Sequence, residues 1–264
     1  MAAPDSELKT LHEFAVELAR AAMRTIAGSS PQPATAGTKA DAADWVTPYD
    51  REVERLTRDE IARRFPDHRV VGEEYGGGAG DGFMWYVDPI DGTTNFVHGL
   101  PWSSFSLAGF DETGVAVGVV ADPARGEILS AVRGGGAFAD GLPVSCRPVS
   151  SLAGEVLLTE WSKNRPWPGM FAVLTEVSDR FAATRIMGSC ALALASVGAG
   201  RAAGALIPGR YDLWDVAAGA LIAKEGGALV HGRDGVSGGV PEDGILAAAP
   251  GVADEVWQLW RAAA

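Results

Sequence analysis

The chain is poor in the residues that soft-metal and redox chemistry require, with 2 cysteines and 4 histidines in 264 residues. Cys146 and Cys190 lie far apart, with no CxxC or Cys/His ligand spacing around them, so neither a disulfide framework nor a zinc site is indicated. A reducing cytoplasm fits that usage. Basic residues are also short: 22 Lys and Arg stand against 34 Asp and Glu, a net charge of −12, and the acids are scattered rather than gathered in a tail. Nucleic acid is disfavoured as a partner, because phosphate backbones are held by clustered positive charge and no cluster is visible. Long apolar runs are missing too. The stretch ALALASVGAG stops at Arg201, well short of the roughly 20 residues that span a bilayer. The opening MAAPDSELKT carries acids where a signal peptide needs a basic and then an apolar run. The expectation is a soluble, cytoplasmic protein without membrane contact.

What is present is an ordinary globular core, 47% apolar, in a length that suits one unit with two sub-lobes. Leu8, Leu11, Phe14, Leu18, Ala22 and Ile26 recur on one helical face between Ser6 and Ala27. Glycine, serine and proline in GSSPQPATAG then break the pattern and suggest a loop, and DREVERLTRDEIARRF, from Asp50 to the stop at Pro66, reads as a second amphipathic helix. RVVG, MWYVD, SFSLAGF, GVAVGVV, EILSAV and GAFAD follow as strands separated by turn signals, and read as an antiparallel meander. GGGAGDG, from Gly76 to Gly82, reads as a flexible connector. Beyond Ser150, strand and helix patterns alternate, ending in the helix ADEVWQLWRAA. The succession predicts a layered α/β or α+β sandwich with a soft divide, residues 1–150 forming one lobe and 151–264 a second, α/β lobe.

The stretch WYVDPIDGTTNF, from Trp85 to Phe96, carries the chemistry. Trp85-Tyr86-Val87 suits a buried strand, so Asp88 emerges at the strand end, where Pro89 and Gly92 turn Asp91 back beside it. Asp-Pro and Asp-Gly are also common turn dipeptides, and Asp91 could simply cap a helix beginning at Gly92. Glu73 and Glu74, in VVGEEYG, follow another apolar run, and Asp215, in LWDVAAG, opens a helix of otherwise apolar or small residues. Like charges brought together must be neutralised by protons or cations. So many acids with so few soft donors suit a hard cation, Mg2+ or Mn2+. Gly92, Thr93 and Thr94 add main-chain N–H groups at a helix start, a cradle for phosphate. Other phosphate chemistries leave marks that are missing: Leu152 and Ser196 stand where Cys-x5-Arg needs arginine, Asp88 and Asp91 are spaced DxxD rather than DxD, and no Walker lysine follows a glycine loop.

WYVDPIDGTTNFVHG, with VGEEYG upstream and LWDVAAG downstream, resembles the inositol monophosphatase family of Mg2+-dependent, lithium-sensitive phosphatases. The resemblance covers nearly the whole chain in order: Lys39 and VTPYD, the paired glutamates, DPIDGTTNF, GSCAL and WDVAAG. It implies a five-layer αβαβα sandwich, commonly a homodimer. It further implies metal ligation by Glu73, Asp88, the Ile90 carbonyl, Asp91 and Asp215, with most ligands in the first lobe and Asp215 from the second. Asp50 and Thr93 would orient and deprotonate the attacking water, with Glu74 behind the ligands and Lys39 near the outer metal.

Family members acting on inositol phosphates generally carry a glutamate shortly before the WD motif, whereas this chain reads ALIPGRYDLWD, with Ile207-Pro208-Gly209 near that position. Arg210 and Asp212 either replace the missing contact or are solvated loop charges, and Gly188 and Ser189 of GSCAL would line the pocket. The expected substrate is inositol 1-phosphate or a similar polyol phosphate. Histidinol phosphate, a sugar phosphate or a nucleoside monophosphate is the alternative, and a catalytically silent protein of this fold is the alternative of another class.

Overall fold

The apolar stripe of the first helix becomes a wall of the core: Leu8, Leu11, Phe14, Leu18, Ala22 and Ile26 are all buried. The computed structural model describes residues 5–263 except 30, 31, 34, 35, 40–43, 79 and 163. Parts of the 28–37 loop, of the 76–82 connector and of the chain's opening therefore lie outside the described residues. Helix α1 (Asp5–Ala27) is followed by the two-residue strands β1 (Gly37–Thr38) and β2 (Trp45–Val46), then α2 (Pro48–Arg64). Strands β3 (Arg69–Gly72) and β4 (Met84–Asp91), helix α3 (Thr93–Val97), and strands β5 (Ser104–Asp111), β6 (Gly114–Asp122), β7 (Glu127–Val132), β8 (Gly136–Ala139) and β9 (Leu142–Val144) come next. The remainder alternates: β10 (Val156–Thr159), α4 (Met170–Asp179), β11 (Ala183–Ile186), α5 (Cys190–Gly198), β12 (Gly204–Ile207), α6 (Leu213–Glu225), β13 (Leu229–Gly232), β14 (Gly235–Val236), β15 (Ile245–Ala248) and α7 (Pro250–Ala262).

Strands β3 to β9 make a seven-stranded sheet in chain order, and β10 to β15 a six-stranded mixed sheet in the order β11-β10-β12-β15-β13-β14. Side chains alternate across each strand, and both sheet faces are covered. On β6, Val117, Val119 and Ala121 pack with α1 and α2, while Val120 packs with Leu192, Ala218 and Ile222 of α5 and α6. The opposite faces of α5 and α6, through Leu194, Val197, Val216 and Ala220, meet Leu158, Ala205 and Ile245 of the second sheet. The far face of that sheet is closed by Met170 and Val173 of α4 and Val252, Val256 and Trp260 of α7. The layers are thus α1 and α2, sheet, α5 and α6, sheet, α4 and α7: an αβαβα sandwich.

Three local readings are corrected. Strands β3 and β4 pair in parallel, so the first sheet is not a pure meander. Helix α2 begins two residues before Asp50, with Thr47 as its cap and Pro48 in the first turn, where a missing N–H costs nothing. Strand β4 does not end at Asp88. It continues to Asp91, and between Asp88 opposite Ser106 and Asp91 opposite Ser104 it carries one extra residue. Proline is tolerated at that bulge, where a ladder donor is dispensable.

Candidate active site

The bulge decides where the acids point. Residues three apart on a regular strand face opposite sides of the sheet, and one inserted residue restores them to the same side. Asp88 and Asp91 accordingly line one cavity of about 270 Å3 together with Glu73 and Asp215. Ile90, Gly92, Thr93, Thr94, Arg210 and Asp212 line it as well. Asp50, Lys39, Glu74, Gly188 and Ser189 are not part of this lining.

Asp88, Asp91 and Asp215 are each anchored through one oxygen. Asp91 Oδ2 accepts from Ser189 Oγ at 2.6 Å and from the Ala191 N–H, in the first turn of α5, at 2.8 Å. Asp88 Oδ1 accepts from the Ile90 N–H at 3.0 Å, and Asp215 Oδ2 from the Asp212 N–H at 2.9 Å. The serines opposite the bulge tie the neighbouring helices to it: Ser104 lies 3.1 Å from Ser189, and Ser106 donates to the Trp214 carbonyl at 2.8 Å. Ser189 therefore caps α5 and holds Asp91 instead of lining the pocket, and Gly188 donates its N–H to Glu160 at 2.7 Å.

Asp50 is fully buried and faces two ways. Its Oδ2 accepts from the N–H and Oγ1 of Thr47 at 2.7 and 2.5 Å, completing a capping box. Its Oδ1 lies 3.2 Å from Thr93 Oγ1, whose single proton can be donated either there or to the Ile90 carbonyl at 2.9 Å. Lys39 bridges the paired glutamates, donating to Glu73 at 2.8 Å and also to Glu74. Burial works against the lysine's charge, yet Glu73 and Glu74 together hold its ammonium above the usual range.

Burial raises Asp88 and Asp215 well above the usual carboxylate range, and their acidic neighbours add to the rise: Glu73 foremost at Asp88, Asp91 at Asp215. Asp91 is pushed up to about 6 by burial, against the pull of its bonds to Ser189 and the α5 backbone. Among the described residues no three acidic, imidazole or thiol side chains converge as a ready-made metal cluster, and the four acids ring an open cavity instead. Their chemistry nevertheless fits a hard cation, because all are oxygen donors and, among the described residues, Arg210 is the one basic residue lining the cavity.

Sequence reasoning missed three supports. Glu54, buried on α2, accepts from the Glu74 and Tyr75 N–H groups at 2.7 and 3.2 Å and pairs with Arg58, so it sets the Glu73–Glu74 turn. Its signal was its spacing, one helical turn after Asp50 and one before Arg58. Glu160, at the end of the strand β10 segment, accepts from the Met187 and Gly188 N–H groups. Asn95 Nδ2 donates to the carbonyls of Trp102 and Met187, and no local pattern announces it.

Fold and cavity together define an αβαβα sandwich protein with an acid-lined cleft between its two sheets. The sequence matches the inositol monophosphatase family over residues 7–262, and the chain belongs to that family, whose members are phosphatases that generally depend on a metal ion. It is 42% identical over 187 residues, 71% of each chain, to the fructose-1,6-bisphosphatase/inositol-1-monophosphatase of Thermotoga maritima. It is 39% identical over 217 residues, 81% of each chain, to Nus factor SuhB of Pasteurella multocida. The solved structure of a Thermotoga maritima IMPase matches with a TM-score of 0.86 at 34% identity, covering 94% of this chain and 95% of that one.

Proposed function

We propose that the protein is a Mg2+-dependent phosphomonoesterase acting on a small ester, foremost inositol 1-phosphate or a similar polyol phosphate, with Mn2+ as a substitute ion. The observation that carries this reading is the shared cavity of Glu73, Asp88, Asp91 and Asp215 beside the Thr93–Asp50 pair. Glu73, Asp88, the Ile90 carbonyl, Asp91 and Asp215 would hold the cations. Bound divalent ions would lower the pKa of water and stabilise charge on the entering and departing oxygens. Thr93 would orient the attacking water, and Asp50 Oδ1 would take its proton through the Thr93 hydroxyl. Burial raises the Asp50 carboxyl, opposed by its Thr47 bonds, which makes it a better base than a solvated aspartate. Lys39 and Glu74 would fix the orientation of Glu73, while main-chain N–H groups at Gly92–Thr94 would receive the phosphate.

Substrate choice falls to the 207–212 segment. Ile207, Arg210 and Asp212 line the cleft and present one cation and one hydroxyl acceptor to the leaving group. The combined bisphosphatase and monophosphatase name of the Thermotoga relative supports the polyol and sugar phosphate class. The relative named as a Nus factor brings a role in assembly into view. With a net charge of −12 and Glu73, Asp88, Asp91 and Asp215 lining one cavity, we favour an enzyme without a nucleic-acid partner, working in the cytoplasm as a homodimer. Phosphate release from inositol 1-phosphate, histidinol phosphate, a hexose phosphate and a nucleoside monophosphate tests the reading. The expected outcome is Mg2+-dependent turnover, inhibited by millimolar lithium and highest in kcat/KM for the polyol ester. Release unaffected by chelation would refute the mechanism, and a higher kcat/KM for histidinol phosphate would refute the substrate order.

A further inference from the structure

Between strand β10 and helix α4 the chain makes a short detour past the acid-lined cleft. Buried Glu160 fixes its start by accepting from the Met187 and Gly188 N–H groups, and Trp167, buried with Met170, Val173 and Trp260, fixes its end. Between these anchors Ser162 and Arg165 exchange two backbone bonds: the Ser162 N–H donates to the Arg165 carbonyl at 2.9 Å, and the Arg165 N–H to the Ser162 carbonyl at 3.1 Å. The chain thus reverses in a two-residue turn. Asn164 in that turn has φ of 60°, in the left-handed region that such turns use and that asparagine enters more readily than most side chains. The hairpin rests on Gly209, where a Cβ would fall 2.6 Å from Ser162 Oγ.

The turn delivers one side chain to the cleft. Asn164 lines the cavity of the four acids together with Ile207, Arg210, Tyr211 and Asp212. It is exposed, and its amide makes no hydrogen bond of its own among the described residues. Ile207, Pro208 and Gly209, on which the hairpin sits, offer no side-chain donor or acceptor, so Asn164 adds a polar contact where that segment has none. The acids and the N–H groups of Gly92–Thr94 are taken up by cations and phosphate in the reading above, which leaves this wall for the rest of the ester. A carboxamide carries an acceptor oxygen and a two-proton donor without adding charge, so it can accept from one hydroxyl and donate to its neighbour. Adjacent hydroxyls of a polyol match that pair, and a plain aryl or alkyl group does not. Because the turn is pinned at both ends, the amide is held in place before substrate arrives, which limits the ordering cost of the contact.

We propose that Asn164 is a specificity-determining residue of the cleft, its amide bonding hydroxyls of a polyol leaving group; this rests on the phosphomonoesterase reading above. The measurement is the ratio of kcat/KM for inositol 1-phosphate to that for p-nitrophenyl phosphate, whose aryl group carries no hydroxyl, at saturating Mg2+. Asn164→Gly leaves the left-handed turn unstrained and removes only the amide. The ratio is expected to fall about ten-fold in this variant, the worth of one neutral hydrogen bond, with an unchanged or higher melting temperature. Asn164→Ala loses the amide and strains the turn as well, and should lower the ratio to the same extent. A ratio kept in Asn164→Gly, or lost in Asn164→Ala alone, would assign the residue to the turn and overturn the proposal. A wild-type chain that hydrolyses the aryl ester but no polyol ester would also overturn it while leaving the metal chemistry standing. Absence of Mg2+-dependent release from either ester would bring down the phosphomonoesterase reading, and this inference with it.

Discussion

Asp91 and Gly92 concentrate the demands on this site at the scale of single residues. Asp91 is 8% exposed, and its Oδ2 is held by Ser189 and Ala191, so an asparagine oxygen can keep both bonds while the negative charge disappears. Asp91→Asn is therefore expected to lower kcat/KM at least about 100-fold, as loss of metal-site residues does, with an unchanged or higher melting temperature once a buried charge is gone. Steady-state kinetics beside a thermal melt would check it, and near-normal turnover would remove Asp91 from the chemistry. Gly92 has φ of 88°, and a Cβ there would lie 2.6 Å from the Gly188 carbonyl oxygen. That oxygen and the Trp102 carbonyl oxygen, 3.1 Å from the same Cβ, are both backbone and cannot swing away. Left-handed strain alone is about 1–2 kcal/mol, so Gly92→Ala should destabilise by more than about 2 kcal/mol and misplace Thr93. Urea unfolding reads the first effect, and a fall in kcat the second.

Among the elements, the central pair α5 and α6 shows why their sequences are so rich in alanine and glycine. They are covered on both faces by sheets and must also approach each other, and a Cβ on Gly219 would fall 2.6 Å from the Ala191 carbonyl oxygen. Gly219→Ala should cost about 1–3 kcal/mol by overpacking, whereas Gly238→Ala, with nothing within 4 Å, should be close to neutral; denaturant midpoints of the two variants decide. This packing also explains what the sequence made legible. Apolar periodicity located α1 and α2, α5 and α6 showed instead as runs of apolar and small residues, and the acid motifs were readable because side-chain type alone marks them. The sequence brings Asp91 beside Asp88 by a turn at Pro89 and Gly92; that a bulge does so within a continuing strand was not readable, since it depends on an extra residue against β5, a partner distant in sequence. The direction of β3 against β4 was equally hidden, because the apolar pattern of a strand is the same in either orientation. Glu54 and Glu160 act on backbone N–H groups contributed by other segments, so the spacing of Glu54 between Asp50 and Arg58 marks its helix face but not its partners, and nothing in its own segment announces Glu160.

For the molecule as a whole, burying acids sets a dependence of stability on pH that bound cations should reverse. Glu160, 3% exposed, is pushed up to about 8 by burial from an ordinary 4.5, and Asp91 to about 6 from 3.8. An acid whose folded pKa exceeds its unfolded value binds more protons in the folded state between those two values. Stability is therefore fullest below about pH 4 and falls as pH rises towards 8. In chelator the melting temperature should decline across that window, and Glu160→Gln should flatten the upper part of the decline by removing the group that titrates there. Mg2+ favours the ionised carboxylates, and a ligand bound only by the folded chain adds about 2.7 kcal/mol at 100 times its Kd. The gap between melts with and without Mg2+ should consequently widen from pH 5 to pH 8. A gap independent of pH would mean that the ion binds away from Asp88, Asp91 and Asp215, and a melt in chelator that rises with pH would mean these carboxyls are solvated in the folded protein.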